Sequence, residues 1–120
     1  MKTAIIYTRV SSKDQVDGFS LESQEKVCRE FADKNKLQVL KVFREEGESA
    51  KTADRTQLQA MIRYCQKNRG KIGKLLIYKV DRLSRKNEDY FTLKIIFRNY
   101  GLAIQSATEQ IEDDPSGKFR

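Results

Sequence analysis

The segment YTRVSS, Tyr7 to Ser12, sets a guanidinium and a hydroxyl two residues apart at the end of an apolar run, Ala4-Ile5-Ile6. In an extended chain successive side chains alternate, so Tyr7, Arg9 and Ser11 share one side and Ser12 takes the other, provided the strand persists through Val10. Ser11 is thus the hydroxyl that shares a site with Arg9. A second source of guanidinium groups is YKVDRLSR, Tyr78 to Arg85. There Arg82 and Arg85 lie three apart, on one side of a helical turn, and Asp81 can orient one of them or pair with Arg9. Arg55, at the mouth of a helix, is a third. Gln24 occupies the core-facing slot between Leu21 and Cys28, where an amide needs partners. It is either satisfied within the core or reaches the site across the top of the sheet.

Four arginines and a serine, in a chain with no histidine, point to phosphate chemistry. Guanidinium forks match phosphate oxygens and stay charged at any working pH. A serine among them can be held in line with phosphorus as a nucleophile while the arginines stabilise charge on the transferring group. Blander readings stand beside this one. A serine can satisfy backbone groups in a turn, an Asp-Arg pair can be a solvated ion pair, and Arg55 can be an ordinary first-turn residue. Three functions therefore remain open from the residues alone: an enzyme, a non-catalytic phosphate- or nucleic-acid-binding module, or a domain whose arginines bind partner carboxylates.

The elements that must position these residues alternate along the chain. Lys2 to Arg9 reads as a strand, and Ser20 to Lys34 as a helix with Ser20 as N-cap. Leu37 to Phe43 alternates as a second strand, and the polar stretch from Glu45 to Ala53 reads as a loop. Asp54 with Gln57 three residues on suggests a capping box, and Leu58, Met61, Ile62 and Cys65 give the following helix one apolar face, ended by Gly70. Lys74 to Val80 is a near-continuous apolar strand, Asn87 to Tyr100 a helix closed by Gly101, and Leu102 to Ala107 a fourth strand. Tyr90, Phe91, Ile95 and Phe97 spread apolar residues around that last helix, which either burial between the core and a partner element or, more simply, core burial would explain. Strands joined by helices imply right-handed crossovers. The fold class is α/β: a mostly parallel sheet of four or five strands with helices on both faces. Ligands of such sheets gather outside the carboxyl ends of the strands, where Arg9, Ser11, the Glu45 to Arg55 loop, Asp81 to Arg85, Thr108 and Glu109 all fall.

Composition narrows the partner. The chain has 120 residues, 38% hydrophobic and 34% charged, which suits one folded domain with a heavily charged surface. Its 24 lysines and arginines against 17 acids give +7. A polyanion is the expected partner, nucleic acid ahead of anionic membrane. The apolar stretch before Arg9 is too short for a secretory signal and no run is long enough to span a membrane, so a cytoplasmic location is expected, or nuclear in a eukaryote. Cys28 and Cys65 fall on apolar helix sides and read as reduced core residues. The absence of histidine removes Ser-His-Asp triads and most zinc sites.

With these residues in view, the chain resembles the serine site-specific recombinases, the resolvase and invertase group, and most of all the large serine integrases. YTRVSS resembles the family's Tyr-x-Arg-Val-Ser motif, which implies Ser11 as nucleophile and Arg9 as its neighbour. DGFSLESQ is similar to the segment that large members carry ahead of the first helix, making Gln24 the implied active-site glutamine. Gln15 matches a polar position near the nucleophile. DRTQLQAM resembles the Asp-Arg-Pro-x-Leu start of a helix and implies a role for Arg55, although Thr56 stands where the proline is usual. YKVDRLSR matches the Asp-Arg-Leu-x-Arg motif, implying roles for Asp81, Arg82 and Arg85, with Tyr7 and Gln15 as supporting residues. The resemblance implies an enzyme that cuts and rejoins DNA through a covalent 5′ phosphoserine linkage, without metal, ATP or other cofactor. It also implies that residues 1–120 are the N-terminal catalytic domain of a longer protein, whose dimerising helix and DNA-binding domain would follow DDPSGKFR. The full-length protein would be a dimer assembling to a tetramer on its DNA sites, and the fragment a monomer.

Overall fold

The computed structural model describes residues 2–10, 20–46, 56–84 and 87–109. Its elements run β1 Thr3–Val10, α1 Leu21–Lys34, β2 Gln38–Glu46, α2 Thr56–Lys67, β3 Lys74–Ile77, α3 Val80–Leu83, α4 Asn87–Asn99 and β4 Ala103–Ser106. Among the described residues the sheet has four strands in the order β2-β1-β3-β4, and every pairing is parallel. All strands therefore start at one edge and end at the other. The expected α/β sandwich is present.

Alternation along β1 sorts the core into two layers. Ile5 and Tyr7 face α2 and α4 and pack with Leu58, Met61, Leu93 and Phe97. Ala4 and Ile6 face α1, against Cys28 and Ala32. Truncating a fully buried residue such as Leu58 to alanine costs about 2 to 5 kcal/mol in such a setting. A register shift between Ala4 and Ile5 skips Leu40 on β2, which is why Val39 and Val42, three apart, both reach the α1 side.

The helix termini follow local chemistry. Ser20 caps α1, its hydroxyl accepting from the Ser23 N–H at 3.1 Å. Gly101 follows α4 at φ +95°, a left-handed conformation that a side chain resists. Two strand ends and one burial pattern differ most from the sequence reading. β2 continues through Glu46, so Glu45 belongs to a strand and not to a loop. β3 stops at Ile77 and not at Val80, because the Tyr78 carbonyl is taken by the hydroxyls of Ser106 and Thr108, at 3.0 and 2.6 Å, and the chain turns into α3. On α4, Tyr90 and Phe97 are buried as expected, but Phe91 and Ile95, one turn apart, are 58% and 57% exposed.

Both cysteines lie fully buried, and neither is disulfide-bonded. Burial pushes each thiol up to about 12. Neither should react with iodoacetamide in the native protein at pH 8, and both should react once the chain is unfolded in guanidinium. Mass spectrometry after a short pulse checks this; native labelling at either position would contradict the packing. No described helix is long and apolar enough to cross a membrane.

Candidate active site

β3 leaves the sheet after pairing Ile77 with Tyr7, two residues short of Arg9. A backbone buried that deep must find other partners. Gln24, fully buried on α1, supplies them: the Arg9 N–H donates to its Oε1 at 3.2 Å, and its Nε2 donates back to the Arg9 carbonyl at 3.0 Å. The amide thus stands in for a strand neighbour. Gln24 is thus a satisfied buried amide whose partner is the Arg9 peptide.

The Arg9 side chain is only 2% exposed. Its Nε donates to the Arg82 carbonyl at 2.9 Å and its Nη2 to the Asp81 carbonyl at 3.0 Å. Arg82, also buried, donates from Nη1 to the Arg9 carbonyl at 3.4 Å. Two guanidinium groups are therefore interlocked beside the last turn of β1. The Asp81 carboxylate pairs with Arg82 Nε at 3.0 Å, so of its two expected roles it orients Arg82, while Arg9 takes the Asp81 backbone oxygen. α3 is braced from β4: the Val80 N–H donates to Glu109 Oε1 at 2.8 Å, and the Ser106 hydroxyl accepts from the Thr108 and Glu109 N–H groups.

Tyr7, on the same side as Arg9, donates its hydroxyl to Glu45 Oε1 at 3.1 Å. The Glu45 carboxylate also accepts from the Gln57 and Leu58 N–H groups, at 3.1 and 2.9 Å, and so holds the first turn of α2. This cap comes from β2; Asp54, the cap the sequence suggested, falls outside the described residues. Glu45 was not singled out in the sequence because it opens a polar run. The signal was nonetheless there: two residues past Phe43, it continues the core-facing alternation of β2 and reaches the level of Tyr7 and Arg9. Glu45→Ala should lower unfolding free energy by about 2 to 3 kcal/mol in a denaturant titration, through two lost helix-end bonds and the lost bond from the Tyr7 hydroxyl. Glu45→Gln, which keeps one acceptor oxygen but opposes one N–H with another, should lose roughly half as much.

The described residues thus bring together Tyr7, Arg9, Gln24, Asp81 and Arg82. Ser11, Gln15, Arg55 and Arg85 lie outside the described residues, as does Asp54. β1 does remain extended through Val10, which is the condition for Ser11 to follow Arg9 on the same side. Arg55 immediately precedes Thr56, the first residue of the turn that Glu45 holds. Fixed guanidinium groups converging on the carboxyl edge of a parallel sheet can bind an anion and stabilise charge developing on a phosphoryl group.

Comparison with known proteins agrees with this arrangement. The family model "Resolvase, N terminal domain" matches residues 4–120. The N-terminal catalytic domain of TP901-1 integrase superposes with a TM-score of 0.76 at 30% identity, covering 88% of this chain and 77% of that one. A resolvase family site-specific recombinase from Streptococcus pneumoniae gives 0.79 at 25% identity, over 98% and 78% of the two chains. The C-terminal catalytic domain of ISC1926 TnpA, an IS607-like serine recombinase, gives 0.74 at 25% identity, over 90% and 71%. A comparison with curated proteins finds no match. A family match across nearly the whole chain, joined to the fold and the interlocked arginines, places this protein in the resolvase family as a serine recombinase catalytic domain.

Proposed function

We propose that Ser11 is the nucleophile of a DNA strand-transfer reaction and that Arg9, Arg82, Arg85 and Arg55 bind and stabilise the phosphate it attacks. The observation that carries this reading is the interlock of Arg9 with Arg82 at the end of an extended β1, one step before Ser11. The Ser11 oxygen bonds to phosphorus as the bond from phosphorus to the 3′ oxygen breaks. The serine gives up a proton and the leaving 3′ oxygen gains one, so the products are a 5′ phosphoserine linkage and a free 3′ hydroxyl. Attack by a 3′ hydroxyl on the phosphoserine reverses the step and rejoins DNA. One phosphoester replaces another each time, so the exchange needs no external energy source.

Gln24 holds the Arg9 peptide at a fixed height, and Asp81 keeps Arg82 aimed. Tyr7, through Glu45, sets the position from which Arg55 enters; Gln15 supports the nucleophile's loop. The domain works on DNA attachment or recombination sites in the cytoplasm, within a longer protein that forms dimers and pairs them as tetramers.

The test is covalent capture. The full-length protein is mixed with a matched pair of its DNA sites, denatured and digested, and the DNA-linked peptide is sequenced. A nucleotide on Ser11 through a 5′ phosphate supports the reading. A nucleotide on Ser12 overturns the choice of serine, and no linked peptide despite DNA binding favours the binding module.

A further inference from the structure

Because all four strands are parallel, every strand start and every preceding helix end lies on the edge opposite the arginine site. That rim comprises Lys2 and Thr3, residues 31–38, residues 64–74 and residues 96–103. Its charges are strongly one-sided. Lys2 precedes β1, and Lys34 and Lys36 flank the α1–β2 turn beside Asp33, the rim's one acid. Lys67, Arg69, Lys71 and Lys74 follow one another from α2 to β3, and Arg98 stands in the last turn of α4. Removing these eight cations and one acid from chain totals of 24 and 17 leaves 16 against 16, so the whole excess of +7 resides here. Seven of the eight cations are exposed and Lys74 is half-buried.

Helix ends attract cations, but three helix C-termini carry only about −1.5 between them. Most of the rim's charge is left over. The rim is also rigid. The Gln38 N–H donates to the Lys2 carbonyl at 2.9 Å, the Thr3 hydroxyl to the Lys71 carbonyl at 2.9 Å, and the Gly70 N–H to the Tyr100 carbonyl at 3.1 Å. Ala103 N–H to Gly73 carbonyl, at 3.0 Å, closes the series, and the Arg69 guanidinium lies over the Tyr100 ring at 5.9 Å. The turns that bear the charges are thus tied into one platform, about 14 Å across at roughly 4.8 Å per strand.

We propose that this rim is a second DNA-contact surface, which takes the phosphate backbone of a duplex without reading its sequence. The choice of DNA over another polyanion rests on the recombinase reading. Along β1 about 20 Å separates the rim at Thr3 from the arginine site at Arg9, so a duplex on the rim is not the phosphate under attack. It is a second segment, held while the first is cut.

The test measures binding of the chain to a short duplex of random sequence by fluorescence anisotropy over a range of salt. Lys34→Gln/Lys67→Gln/Lys71→Gln removes three exposed rim charges, and Lys26→Gln/Lys41→Gln/Arg63→Gln removes three exposed charges elsewhere. The rim triple should flatten the dependence of log Kd on log salt by about 2 to 3, at roughly 0.9 per phosphate contact, and weaken low-salt binding more than tenfold. The control triple should change the slope by less than one contact. Equal effects of the two triples would reduce the rim to bulk charge and overturn the proposal, as would wild-type binding insensitive to the rim triple. So would a rim triple that alters self-association, followed by sedimentation, in the absence of DNA. Covalent capture reads the arginine site and random-duplex binding reads the rim, so loss of capture and loss of rim binding report separately.

Discussion

Ser11→Ala protein should bind its DNA sites and leave nothing attached after denaturation. The expected loss in cleavage rate is roughly a millionfold, the scale on which removal of a catalytic serine hydroxyl registers. The chain has no histidine, guanidinium groups are not nucleophiles, and both cysteines are buried in the core, so the adjacent Ser12 hydroxyl is the rival to test. Ser12→Ala is the matched control, since strand alternation carried past Val10, where β1 is still extended, predicts Ser12 on the side opposite Arg9. It should retain capture within a few-fold of wild type. Gel separation of protein-linked DNA, run for both variants, decides the matter, and capture surviving in Ser11→Ala would remove the nucleophile assignment outright.

Arg9 gives the second large effect, and stability and chemistry can be separated there. Arg9→Ala leaves a cavity at a 2% exposed position and orphans the carbonyls of Asp81 and Arg82. A destabilisation of about 3 to 5 kcal/mol is expected, a large share of a typical domain's total. Lost activity in that variant would therefore say little about mechanism. Arg9→Lys is the informative change. A lysine fills much of the space and keeps the charge, but its single ammonium cannot reproduce a fork whose Nε and Nη2 grip two successive carbonyls. It should cost less stability by denaturant titration, yet lower the cleavage rate about a hundredfold or more with DNA affinity little changed. Wild-type rates in a folded Arg9→Lys protein would show that Arg9 serves packing alone.

The sequence made the layered architecture readable because apolar periodicity changes cleanly from two to about three and a half residues at each boundary. Leu58, Met61 and Cys65 on α2 face the core that spacing assigned to them. Gln24 was legible as an amide in a core slot, but its target was not. Which backbone lacks a partner depends on β3 ending at Ile77, and that end is set by the distant hydroxyls of Ser106 and Thr108. Glu45 was hidden for a related reason. Its function is to close a helix that begins eleven residues later, a long-range contact with no local signature. Phe91 and Ile95 show the opposite limit, since apolar identity alone does not say which residues the rest of the chain will cover. The interlock of Arg9 with Arg82 joins segments 73 residues apart, and only the parallel crossover brings them together.

The Gln24 clamp ties the end of β1 to α1 by bonds that belong to no strand. Amide protons further back in β1, such as those paired with β3, exchange with solvent only when the sheet itself opens. The Arg9 amide is different: it is released whenever α1 lifts, even with every strand in place. Its exchange rate is therefore a gauge of how firmly one helix is seated, read at the peptide two residues from the serine. A motion of α1 too small to disturb the sheet would be transmitted directly to that peptide, so the helix acts as a lever on the end of β1.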